Sequence, residues 1–123
     1  MIIRDQQLQT LRNEQFQNFS RRLIAHLRKH HKERLSPYPD SSLHTYVQEC
    51  TDRARRLYGL NTEQAIACYA ELPLVLHDTY ETDKDYQAIP ALLGKKSFHP
   101  STRAKMALSL AYQVKAAMKN GER

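Results

Sequence analysis

One short break between two helical stripes constrains this chain more than any other feature. Apolar residues fall at Leu43, Val47, Cys50, Ala54 and Leu57, in steps of four and three that place them on one face of a helix. Tyr46 and Tyr58 widen that stripe, and His44, Gln48, Glu49, Asp52, Arg53 and Arg56 fill the face suited to water. Tyr58-Gly59-Leu60-Asn61-Thr62 then interrupts the pattern, with Gly59 where a helix C-terminus needs positive φ. Asn61 and Thr62 are N-cap candidates for a second helix, and Glu63 suits the positive end of its dipole. The stripe resumes at Ala65, Tyr69, Leu72 and Leu76, flanked by Ile66 and Val75. So short a break makes the two helices antiparallel neighbours.

The spacing predicts an all-α fold, a compact bundle of about five helices around the Leu43–Leu76 hairpin, in a single domain over 1–123. Three glycines in 123 residues favour helices over a sheet with tight turns. Pro73 is the irregular residue, since proline inside a helix costs about 3 kcal/mol. The second helix is expected to kink near Ala70 or restart at Pro73.

Upstream, Met1-Ile2-Ile3 reads as an extended lead-in, Asp5 as the cap of a short helix through Leu8 and Leu11, and Asn13 as a second start. Phe16, Phe19, Leu23, Leu27 and, at its end, His30 then share one face, with Ile24 and His31 beside it. Arg21, Arg22, Arg28, Lys29 and Lys32 lie off that stripe and form a basic surface. Ser36-Pro37-Tyr38-Pro39-Asp40 is a stiff loop that fixes how this helix turns back, and Asp40, Ser41 or Ser42 can cap the next one. Downstream, Ile89, Leu92 and Leu93 predict a short helix broken at Pro90 and ended by Gly94. A last helix follows a cap at Ser101 or Thr102, buries Ala104, Leu108, Ala111, Val114 or Lys115, and Met118, and stops at Asn120-Gly121.

The formal charge of +6 is unevenly spread. Residues 12–34 hold seven Lys or Arg against Glu14 and Glu33, and residues 95–123 hold seven against Glu122. The middle, 37–94, holds four against nine acids. Basic flanks around an acidic centre point to a charged partner, protein or nucleic acid. The densest acidic stretch carries Asp78, Glu81, Asp83 and Asp85, interleaved with Tyr80 and Tyr86. Tyrosine is a favoured interface anchor, so these six residues are the candidate partner-binding surface. A solvated acidic turn is the bland alternative. An EF-hand needs a glycine at its sixth position and a closing glutamate, both missing here.

No catalytic signature stands out. The chain lacks G-x-x-x-x-G-K-[ST], G-x-G-x-x-G and G-x-S-x-G, so it is not expected to be an enzyme. His26 and His30 are one helical turn apart with Glu33 a turn further, but no third and fourth ligand complete a set. No metal and no cofactor are expected. No run approaches the ~20 apolar residues of a membrane span, the start lacks a signal-peptide core, and Cys50 and Cys68 read as free core thiols, so a cytoplasmic location is expected.

Three stretches carry a resemblance. They are Ile3-Arg4-x-x-Gln7-Leu8 with Phe19-x-x-Arg22-Leu23-x-x-His26-Leu27-Arg28; Arg53-Ala54-x-x-Leu57-Tyr58-Gly59-Leu60-x-Thr62-Glu63; and Tyr69-x-Glu71-Leu72-x-x-Val75-Leu76 running into Tyr80-Glu81-x-Asp83. Together they resemble small helical proteins of unassigned activity encoded in bacterial type VI secretion clusters, beside spike, PAAR-tip and effector genes. Pro73 stands where that family has an apolar residue, and the last forty residues do not follow it. The resemblance implies an accessory of a secreted toxin: an adaptor or chaperone that loads an effector, or an immunity protein that neutralises one. Its partner would be a toxin effector or a spike/PAAR component. The alternative is a small basic helical protein that binds nucleic acid.

Overall fold

The computed structural model describes the backbone of residues 2–121 and the side chains of residues 14–117. The chain is all-α, with no strand among the described residues. Its helices are α1 (Ile2–His30), α2 (Lys32–Leu35), α3 (Asp40–Tyr58), α4 (Glu63–Val75), α5 (Ala88–Leu93) and α6 (Pro100–Gly121). Two 3₁₀ turns, Tyr80–Thr82 and Lys84–Tyr86, lie between α4 and α5. The residues cluster into two units, Met1–Gln48 and Glu49–Arg123, with the boundary inside α3.

Unit 1 is built on the expected apolar stripe of α1. Phe19, Leu23, Ile24 and Leu27 are buried, as are Leu35, Leu43 and Val47. Helix α1 runs unbroken from Ile2, so neither an extended lead-in nor a restart at Asn13 occurs. No proline or glycine precedes Pro37, and an asparagine within a helix costs only a few tenths of a kcal/mol, about 0.7 at most. The side chains of Asp5, Leu8 and Leu11 lie outside the described residues. Buried Ser20 bonds to His44 Nδ1 at 2.7 Å, tying α1 to the start of α3. The proline loop is held by Arg28, whose guanidinium donates to Asp40 Oδ1 at 2.7 Å and to the carbonyls of Tyr38 at 2.8 Å and Leu35 at 3.3 Å. Asp40 bonds to Arg28 and is the first residue of α3 rather than its cap, and the amides of Ser42 and Leu43 bond to the Pro39 carbonyl.

In unit 2 the break between α3 and α4 forms as its sequence requires. Gly59 has φ +67 and its amide bonds to the Arg55 carbonyl, a left-handed cap. Thr62 caps α4 by accepting from the Ala65 amide at 3.1 Å. The turn also changes one burial expectation: Leu57 is 50% exposed, while Leu60, folded back past Gly59, is fully buried. A Cβ on Gly59 would meet nothing within 4 Å, so Gly59→Ala is expected to cost only the backbone strain of about 1–2 kcal/mol. Chemical denaturation would check this. A loss above about 4 kcal/mol would mean that the turn is packed tightly rather than merely left-handed.

Helix α4 neither restarts nor ends at Pro73; it continues to Val75. Proline sits in the last turn, where only one intrahelical bond is lost, and Leu72 and Leu74 beside it are buried. Helix α6 packs on α4 and α5 through Ala104, Ala107 and Ala111, all fully buried. Small side chains there permit close helix approach. Leu108 is only half-buried, so Ala107 takes the place expected for it. Met118 lies outside the described side chains. The cap of α6 is not Ser101 or Thr102 but His99, which accepts from the Ser101 amide through Nδ1 and from the Arg103 amide through its carbonyl. Pro100 then occupies the first helical position, where its missing N–H costs nothing. Cys50 and Cys68 are free thiols.

One end of unit 2 is fastened by Arg103, 5% exposed, whose Nη1 donates to the carbonyls of Leu93 at 2.8 Å and Tyr58 at 3.0 Å. Both acceptors close helices, α5 and α3, so one cation from the first turn of α6 satisfies two negative helix ends. At the same end, Thr62 and Ser101 share a hydroxyl–hydroxyl bond of 2.9 Å that joins the starts of α4 and α6.

Candidate functional site

The acidic stretch after α4 is a fastened structure rather than a loose turn. Its first anchor is Tyr80, 1% exposed and part of the core. Its second is Glu81, which reaches back to α3 and α4. Arg53 Nη2 meets Glu81 Oε1 at 2.6 Å, while Tyr58 and Tyr69 donate their hydroxyls to Oε2 at 2.7 and 3.0 Å. Arg53 Nε also donates to the Tyr69 hydroxyl at 3.3 Å, and the two tyrosine rings lie 5.8 Å apart. Burial and then the bond to Glu81 push the Tyr58 phenol up. Burial likewise raises Tyr69, to about 12, although the Arg53 bond works against it. Both phenols therefore stay neutral donors at physiological pH, and charge-assisted bonds of this kind are among the strong ones.

The third anchor is local. His77 Nε2 lies 2.8 Å from Asp83 Oδ2, and His77 Nδ1 accepts from the Thr79 amide at 3.3 Å. Because Nδ1 accepts from a backbone N–H, the ring proton is assigned to Nε2, which donates to Asp83. Tyr86 packs edge-on against His77 at 5.3 Å. The Asp85 amide donates to Asp83 Oδ1 at 2.9 Å, and this bond, followed by the one to His77, holds the Asp83 carboxyl below its usual range. Gln87 closes the segment, donating to the carbonyls of Asp83 at 2.8 Å and Glu81 at 3.3 Å. Thr79, His77 and Asp83 line up as a hydroxyl, a base and an orienting acid, with Thr79 Oγ1 at 3.2 Å from Nδ1. The Nδ1 lone pair is already shared with the amide of Thr79 itself, so the arrangement is that of a stabilised turn.

The six candidate residues thus divide. Tyr80 is buried in the core, Glu81 turns inward, and Asp83 and Tyr86 are half-buried in the turn's own bonds. Asp78 and Asp85 are exposed, with Lys84 between them. Arg53 lies on the solvent face, as its spacing predicts; the spacing does not give its bond to Glu81 or the acceptor role of Glu81. One signal was available: buried tyrosines need a partner for their hydroxyls, and Tyr58 and Tyr69 both lie on apolar stripes.

On the basic side, Arg21, Arg22, Lys29 and Lys32 are exposed, and Arg21 bonds to Asn18. Arg28 is committed to the proline loop and is not part of an open basic face. Among the described residues, no group of three or more His, Cys, Asp or Glu is placed to hold a metal ion, and no helix is long and apolar enough to cross a membrane. No family model matches the chain, and no curated protein or solved structure matches it significantly.

Proposed function

We propose that this chain is a non-catalytic protein-binding accessory of a secreted toxin, an adaptor or chaperone for an effector or an immunity protein against one. The observation that carries the binding reading is the anchoring of residues 77–87. This connecting segment, built from two 3₁₀ turns, is held to α3 and α4 by a carboxylate with three partners, while Asp78 and Asp85 stay exposed at its surface. Holding a loop in one conformation before binding removes part of the ordering cost of association, and irregular segments on rigid scaffolds are where binding residues concentrate. The toxin part of the reading rests on the sequence resemblance over residues 3–83. The cytoplasm is the compartment that such a partner implies.

Exposed carboxylates in this setting favour a basic partner surface, such as that of a nuclease toxin or a basic spike component. A second reading is supported by Arg21, Arg22, Lys29 and Lys32, which are exposed on unit 1 and suit phosphate groups. Co-expression of the tagged chain with its neighbouring genes separates the two. A stoichiometric protein retained at moderate salt is expected. Recovery of nucleic acid alone, released steeply by salt, would replace the protein-binding reading with the second one.

A further inference from the structure

The solvent side of α1 carries a pair of side chains that the proposed binding segment does not use. We propose that His26 and His30 form a two-imidazole chelate for a divalent transition-metal ion, of the class of copper(II), nickel(II) and zinc(II). The two residues are one helical turn apart near the end of α1, and both are exposed. Their rings have turned toward each other, with centroids 4.4 Å apart and planes inclined at 52°. At metal–nitrogen distances of ~2.0–2.1 Å, two imidazole nitrogens sharing one ion are separated by roughly 3.3 Å. Ring centroids 4.4 Å apart bring the two imidazoles within the range of such a shared ion. The same helical spacing of histidines places two zinc ligands in H-E-x-x-H sites.

The surroundings select the class of ion. Imidazole suits zinc, copper and nickel, whereas calcium and magnesium require oxygen ligands. His30 is the last residue of α1, at the negative end of the helix dipole, which favours a cation. Glu33, three residues on in α2, is exposed. With two protein ligands the ion keeps open positions for water or for a donor brought by another molecule.

The test is titration of the full chain with copper(II) in a non-coordinating buffer at pH 7.5, by calorimetry and by electron paramagnetic resonance. One tight copper per chain with two nitrogen donors is expected. His26→Ala and His30→Ala should each weaken it by more than about tenfold, the scale at which loss of an outer-shell partner already weakens a metal site. His30→Gln, which preserves helix propensity and side-chain bulk, should weaken it equally. His99→Ala should leave it unchanged, and calcium should give no heat. Wild-type affinity in either alanine variant, or a signal with fewer than two nitrogens, would overturn the proposal.

Discussion

Arg103→Ala is expected to lower stability by about 3 kcal/mol, because it strips one buried and one part-buried helix-terminal carbonyl of their donor at roughly 1–3 kcal/mol each. The acceptors are the carbonyls of Tyr58 and Leu93, at 3.0 and 2.8 Å, and the side chain that serves them is 5% exposed. In a chain of this size that loss corresponds to a fall in Tm on the order of 10 °C. Arg103→Met should cost less than the alanine change. It keeps the apolar stem packed and removes the guanidinium Nε, which has no protein hydrogen-bond partner. Arg103→Lys should fall between wild type and alanine, since one ammonium reaches a single carbonyl more readily than two. Thermal unfolding followed by circular dichroism reads all three, and a fall below about 1 kcal/mol in the alanine variant would show that solvent satisfies those carbonyls instead.

Glu81→Ala is the second large effect, about 2–4 kcal/mol, because it leaves one guanidinium and two phenols without their common acceptor. Glu81→Gln keeps the shape and one acceptor oxygen and should cost roughly half as much. The same network has a signature in alkali. Tyr69 titrates at about 12 in the folded chain against ~10 when unfolded. A neutral acid whose pKa is raised by folding stabilises fully below its unfolded value and loses that contribution as pH rises through the folded one. Stability should therefore decline between about pH 10 and 12, as the unfolded chain sheds the phenolic protons first. In Tyr58→Phe the decline should be shallower, with absorbance at tyrosinate wavelengths as the readout. An identical alkaline profile in wild type and Tyr58→Phe would remove the network from the account.

The helical fold was legible because its signals are local. The four-and-three spacing from Leu43 onward, Gly59 at the break and Thr62 at the following cap all act within a few residues. The errors have equally specific causes. Leu57 continues the stripe on paper, but the left-handed turn at Gly59 brings Leu60 into the core and leaves Leu57 outside. Of the two outcomes expected at Pro73 the restart does not occur, because the proline falls in the last turn of α4 and the helix runs through it to Val75. His99 was not read as a cap because imidazole serves that role less often than Ser or Thr.

The candidate site was located as a stretch but not understood as a structure. Its composition showed acids and tyrosines. It could not show which of them face inward, because Glu81 finds its partners 12 to 28 residues away, at Tyr69, Tyr58 and Arg53. The basic surface was over-read for a related reason. Arg28 looks like its neighbours in sequence, but it lies where the chain turns back and bonds to two carbonyls and Asp40.

The most direct test of the binding reading is to measure recovery of the co-purified protein against charge reversal on the anchored segment. Asp78→Lys/Asp85→Lys alters exposed side chains and should keep helix content and Tm close to wild type. Loss of the partner from this variant, with retention by Arg22→Glu/Lys29→Glu, is the expected result. Retention by the acidic-segment variant, with loss from the α1 variant, would contradict it and move the binding surface to unit 1.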